Sequence, residues 1–146
     1  KNDQLLVVDN DAIDKGKVFD AKDKEEFDSL FSRVATEATM DWKVHAQKME
    51  KFFSQFQFND KARMLSVVLH DNLDGEYLFV GHVGVLVPAD EGFLFVEKLT
   101  FEEPYQAIKF ASKEDCYKYL GTKYEDYTGD GLAKPFIIDN DKWVNL

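Results

Sequence analysis

Residues 64–99 form three apolar runs separated by two turns, and this pattern limits the fold more than any other feature of the chain. Residues 64–69 are a continuous apolar run of strand length. The segment HDNLDGE, 70–76, carries the Asp-Gly of a tight turn. Residues 77–87 are strand-like but interrupted by Gly81 and Gly84, PADEG (88–92) reads as a hairpin turn, and 93–99 returns as a strand. Strands joined by such short turns pair antiparallel, because a parallel crossover needs a dozen or more residues. Residues 105–110 and 136–138 add two strand candidates, and Asp139-Asn140-Asp141 turns the chain into Lys142-Trp143-Val144.

Helical periodicity brackets this meander. In 24–38 the apolar residues Phe27, Leu30, Phe31, Val34, Ala35 and Ala38 fall on one helical face, with Asp23 and Glu26 spaced as a capping box. A second helix is expected over 41–56, with the stripe Trp42, His45, Met49, Phe52, Phe53 and Phe56 and a cap from Thr39 or Asp41. A third begins at Ser112, carries Glu114 and Asp115 in its first turn, and ends near Gly121. Residues 9–23 are polar and read as a loop, preceded by a short apolar run at 4–8. The expected fold is α+β: an antiparallel sheet of about five strands packed with about three helices, in one domain across 1–146.

A chain of 146 residues suffices for a core without disulfide staples, and its one cysteine, Cys116, rules out an internal disulfide. The net charge of −10 argues against nucleic acid or an anionic membrane as the main partner. The sequence starts at Lys1 and shows no apolar signal segment or membrane-spanning run, so it reads as a processed product or a piece of a longer protein.

The chemistry concentrates in VGHVGVLVPADEGFLFVEK, 80–98. Alternation puts His82, Gly84 and Leu86 on one strand face and Val83, Val85 and Val87 on the other, with the valine face expected as core. A four-residue loop, 88–91, would set Glu97 opposite His82, Phe95 opposite Gly84 and Phe93 opposite Leu86. A carboxylate holding an imidazole is the base-plus-orienter pair of a nucleophilic triad. The plain alternative is a half-buried, satisfied histidine, with Glu97 facing solvent at a strand end. No nucleophile accompanies the pair. Cys116 shares a helix face with Tyr119 and Leu120 and sits beside Glu114 and Asp115, which disfavour a thiolate. No serine lies in a Gly-x-Ser-x-Gly elbow.

Other candidates are weaker. Asp126, Thr128 and Asp130 match the first half of a calcium loop, but its twelfth position is Ile137 instead of Glu, so an Asx-rich turn is the reading. Asp9, Asp11, Asp14 and Asp20 cluster around a misplaced Gly16 and read as solvated turns. His45 is expected in the core with one hydrogen-bond partner, and His70 in a turn. Phe52, Phe53, Phe56 and Phe58 fit a buried stripe better than a binding groove. No cofactor is implied.

The stretch 66–110, with GHVGVL followed by LFVEKLTFEEPYQ, resembles a bacterial family of unknown function, numbered 4300 among such domains. TEATMDWKVH (36–45) and KPFIIDNDKW (134–143) share the resemblance. It implies an exported protein, often a lipoprotein, extracellular or anchored at the cell surface. It also implies a further N-terminal portion bearing an Asn-Cys-Arg segment that this sequence lacks, so the chain would be a C-terminal part. The His-Val-Gly strand also resembles the histidine strand of papain-like, NlpC-like cell-wall cysteine peptidases. That likeness implies His82 as base and Glu97 as orienter, a cysteine supplied from upstream, and a peptide or cell-wall fragment as substrate. The other expected partner is the protein's own N-terminal segment. The competing expectation is a non-catalytic extracellular binding or structural module.

Overall fold

The computed structural model describes residues 19–100 and 102–146. The expected run at 4–8, most of the loop at 9–23, and Asp9, Asp11, Asp14 and Gly16 lie outside the described residues.

Helix α1, Ala21–Leu30, starts three residues earlier than its spacing suggests. Asp20, not Asp23, is the N-cap. Its side chain accepts from the Asp23 amide at 2.8 Å, and the Asp23 carboxylate accepts from the Asp20 amide at 3.4 Å. The helix does not continue to Ala38. The chain turns at Phe31, and Val34–Ala35 form a short strand, β1. Pairing of Val34 with Leu78 and of Ala35 with Tyr77 overrides the helical pattern there. Helix α2, Trp42–Phe53, is capped by Asp41, whose side chain accepts from the Lys43 amide at 3.0 Å. Helix α3, Lys113–Tyr124, is capped by Ser112 and runs three residues beyond Gly121.

The other strands are β2 (Arg63–Asp71), β3 (Tyr77–Ala89), β4 (Gly92–Glu97), β5 (Gln106–Phe110), β6 (Phe136–Asp139) and β7 (Lys142–Val144). With β1 they form one antiparallel sheet of seven strands, two more than expected, in the order β5-β4-β3-β2-β6-β7. β1 lies on the same edge of β3 as β4, at the opposite end. The fold is therefore α+β, with helices on both sheet faces.

A β-bulge decides which residues meet which helix. Val67 pairs with His82 and Val68 with Val80, so Gly81 is an extra residue in β3. One inserted residue exchanges the faces of everything beyond it. Leu78 and Val80 therefore pack with Val68, Phe136 and Ile138 under α2, against Ala46, Met49 and Phe53. Leu86, on the other side of the bulge, packs with Leu65, Val67, Phe95 and Ile137 under α3, against Cys116, Tyr117 and Leu120. The expectation of a valine core face in β3 is corrected. His82, Gly84 and Leu86 are buried, whereas Val85 is 40% exposed. Phe95 and Leu120 are fully buried on the α3 side. Fully burying side chains of this size stabilises by roughly 1.5–3 kcal/mol each.

Candidate functional site

The β3–β4 turn contains only Asp90 and Glu91, because Ala89 pairs with Gly92. Glu91 adopts φ 58 and Gly92 φ 135, the positive values a tight reversal needs. The hairpin is thus two residues tighter than a four-residue loop would make it, and the register shifts accordingly. Gly84, not His82, is directly opposite Glu97, and Leu86 opposes Phe95. A shift of two preserves the sheet face, so His82 and Glu97 become diagonal neighbours within reach of long side chains. His82 Nε2 lies 2.5 Å from Glu97 Oε2.

Glu97 is 1% exposed and is the hub of the cluster. Its Oε1 accepts from Gln106 Nε2 at 2.7 Å and from the Tyr119 hydroxyl at 2.6 Å. Lys123 Nζ donates to the Tyr119 oxygen at 2.9 Å and stands 3.5 Å from Glu97 Oε1. Burial opposes the charge of Glu97 more than any other single influence. The bonds from Tyr119, Gln106 and His82 together outweigh it and hold the carboxyl below its usual range. Burial and the bond to Glu97 push the Tyr119 hydroxyl up. Burial works against the Lys123 charge, but Tyr119 and Glu97 raise its pKa on balance.

An ionised carboxylate only accepts, so His82 Nε2 carries a proton and donates it to Glu97. Its Nδ1 has no hydrogen-bond partner among the described residues. His82 is 9% exposed, and the Tyr124 ring stacks on it at 5.1 Å with a 26° interplanar angle. Tyr124 in turn touches Tyr127, which is 60% exposed. Gly84 lets the neighbouring ring close over the sheet: a Cβ there would meet Phe95 Cζ at 2.3 Å and the Val96 carbonyl at 2.9 Å. The solvent-facing alternative for Glu97 does not hold.

Reading the sequence found two members of this cluster and missed Gln106, Tyr119, Lys123 and Tyr124. Two signals were present. Tyr119 and Lys123 are four apart on one helix face, and Gln106 falls opposite Glu97 once β4 and β5 are aligned.

Cys116 is fully buried on the inward face of α3. Its thiol is pushed up to about 12, first by burial and then by the charges of Glu97 and Asp139. The expected agents, Glu114 and Asp115, are not the cause. Its neighbour Tyr117 donates to Asp139, which also receives Arg63 Nε at 2.6 Å, tying α3 to β6 and β2.

The other histidines form a second buried cluster under α2. His45 has two partners instead of the expected one. Its Nδ1 lies 2.6 Å from the Thr36 hydroxyl, and its Nε2 donates to the Thr39 carbonyl at 2.7 Å. Burial lowers its pKa, which keeps it neutral. His70 is buried rather than set in a turn. Its Nδ1 accepts from the Ala133 amide at 2.9 Å and its Nε2 donates to Glu76 at 2.6 Å. The two rings lie 4.5 Å apart.

Asp126, Thr128 and Asp130 lie on the exposed loop after α3. The Thr128 hydroxyl donates to the Leu132 carbonyl at 3.3 Å, and the Asp130 carbonyl accepts from Asn72 Nδ2 at 3.1 Å. Among the described residues, no three His, Cys, Asp or Glu side chains gather closely enough to hold a metal ion. Phe53 is fully buried, and Phe52, Phe56 and Phe58 pack partly buried around it. No described helix is long and apolar enough to cross a membrane.

No curated protein and no solved structure matches this chain. A family profile matches residues 1–144, nearly the whole sequence, and includes the hairpin that carries His82 and Glu97. The chain belongs to the family described as Domain of unknown function (DUF4300).

Proposed function

We propose that this domain is the histidine-bearing part of an exported, cell-surface thiol hydrolase or amidase acting on peptide or cell-wall amides. One observation carries the reading: His82 is held through Nε2 by an ionised, buried carboxylate, while its Nδ1 has no hydrogen-bond partner among the described residues. That is the division of labour a general base needs, with one nitrogen oriented and the other available. Glu97 would also stabilise the imidazolium formed when His82 takes a proton. In this reading the nucleophile is a cysteine outside the chain, because Cys116 lies sealed between α3 and the sheet with its thiol protonated. The resemblance to papain-like histidine strands and the family's implied export support the same assignment.

A second reading has its own observation. His82 is 9% exposed and lies under Tyr124, which suits a non-catalytic binding or structural module whose cluster only fastens α3 to the sheet. Labelling of the full-length gene product with a thiol-reactive probe separates the two. The hydrolase reading expects rapid labelling of one cysteine other than Cys116, slowed about tenfold or more in His82→Ala. Equal labelling in both proteins would leave the module as the answer.

A further inference from the structure

α2 covers only part of the sheet side opposite α3. Its core lies over Val68, Leu78, Val80, Phe136 and Ile138. Val83, Val85 and Val87 of β3 and Leu94 and Val96 of β4 share that side, because Val85 pairs with Val96 and Val87 with Leu94. None of these five packs against the α2 cluster or the α3 cluster. Val85 is exposed and the other four are partly so. Across β3, β4 and β5 the patch is roughly 10 Å wide, and from Val83 to Val87 it runs ~13 Å. A contiguous apolar surface of this kind marks a place where another molecule packs.

Two cations border the patch. Lys109 is exposed on β5, directly opposite Leu94. Lys98 follows Glu97 at the far end of β4, with Nζ 5.5 Å from the ring centroid of the exposed Tyr105. The two lysines thus stand ~13 Å apart along the strand direction, one at each end of the apolar row. Neither has a carboxylate partner among the described residues. In a chain of net charge −10, an apolar face with a positive border suits an acidic partner. The face offers that partner side chains alone. Here β3 lies between β2 and β4, and β4 between β3 and β5, so the backbone groups are already engaged in the ladder. A visitor must therefore satisfy its own backbone, as a helix does. An anionic membrane would instead meet the repulsion of the whole chain.

We propose that this face binds an amphipathic helix of a partner protein, about three turns long. Its apolar stripe lies on Val85, Val87, Leu94 and Val96, and carboxylates flanking the stripe reach Lys98 and Lys109. The partner helix covers its half of the sheet as α2 covers the other. A footprint this small makes a weak, reversible contact. Docking does not depend on the hydrolase reading, because His82 lies on the opposite side of the sheet, against Tyr124 of α3.

The ¹⁵N-labelled chain is titrated with a helical probe that has leucines on one face and glutamates beside it, acetyl-ELQALLQELQALLE-amide. A final concentration of roughly 1 mM is enough to saturate a site with Kd ~100 μM. Saturable amide shifts are expected at Val83, Val85, Val87, Leu94 and Val96. The Kd should rise at least about twofold in Lys98→Glu or Lys109→Glu, and likewise for the probe with lysine in place of each glutamate, the scale of one exposed ion pair. Val85→Asp should abolish binding while the amide spectrum away from the patch stays native. Shifts that never saturate, that map elsewhere, or that show equal affinity for the glutamate and lysine probes would overturn the proposal. So would stronger perturbation of the same residues by phosphatidylglycerol vesicles, which would assign the face to lipid. A several-fold gain in probe affinity in Leu6→Asp would also overturn it, by showing that the chain's own apolar run at 4–8 competes for the face.

Discussion

Replacing Glu97 in two ways separates its charge from its hydrogen bonds. In Glu97→Gln the carbonyl oxygen can still accept from Gln106 and Tyr119. The new amide would face His82 Nε2, which becomes an acceptor by moving its proton to the unpartnered Nδ1. What disappears is the charge assistance on three bonds. The cost of burying a carboxylate disappears with it, and that burial is the largest single influence on Glu97. The two effects oppose each other, so Glu97→Gln should cost only about 1 kcal/mol, the scale of one net hydrogen bond. Glu97→Ala is different in kind. It strips the acceptor from His82, Gln106 and Tyr119 together in a site with almost no water access, and breaking a buried pair this way costs about 3–5 kcal/mol. Urea unfolding followed by tyrosine and tryptophan fluorescence at pH 7 measures both. The sign with pH is fixed as well. The folded pKa of Glu97 is depressed, so its contribution is present above the unfolded pKa near 4.5 and is lost as pH falls through the folded value. The gap between wild type and Glu97→Gln should therefore close in acid. Equal losses for Gln and Ala would show that charge, not acceptor geometry, holds the cluster. A loss below about 1 kcal/mol for Ala would show that nothing depends on it.

Three further outcomes follow from neighbouring contacts. Gly84→Ala should destabilise by about 1–3 kcal/mol, because its Cβ would lie 2.3 Å from the Phe95 ring and 2.9 Å from a backbone carbonyl that cannot swing aside; a neutral result in urea unfolding would contradict the packing described. Cys116 should be silent to a disulfide reagent at pH 8 in the native protein and react once the chain is unfolded in guanidinium, since its thiol is buried and titrates at about 12; a fast native reaction would place it elsewhere. His45, neutral and depressed below 6.5, gives a stability that is full above that pH and declines toward its lower folded pKa, with a slope of at most about 1.4 kcal/mol per pH unit; His45→Gln should flatten the pH 5–7 stability profile, and an unchanged slope would refute the assignment.

Elements whose information is local were legible in the sequence. Asp41 and Ser112 cap their helices as their positions suggest, and the α2 stripe buries His45, Met49 and Phe53. The failures share one cause, which is that the deciding partner lies far along the chain. Val34 and Ala35 complete a helical stripe by spacing, but Leu78 and Tyr77 recruit them into the sheet. Alternation grouped His82, Gly84 and Leu86 correctly on one face of β3, but the core was assigned to the valine face because nothing local shows that α3 covers the other one. The loop-length assumption misplaced the hairpin register by two, an error that spared the His82–Glu97 contact because side chains repeat every second residue. A slip of one would have put Lys98 there instead.

The bulge links these observations. Without Gly81 as an extra residue, one uninterrupted β3 would present Leu78, Val80, His82 and Leu86 to a single helix layer, and His82 would face α2 or Leu78 would face α3. With it, the strand serves α2 at one end and α3 at the other, and His82 is the first side chain after the switch on the α3 face. A Cβ at Gly81 would come within 2.3 Å of Leu69 Cδ1, so the residue that permits the switch tolerates little else. The position of the candidate base and the layer that supplies Tyr119, Lys123 and Tyr124 around it are thus two consequences of one inserted glycine.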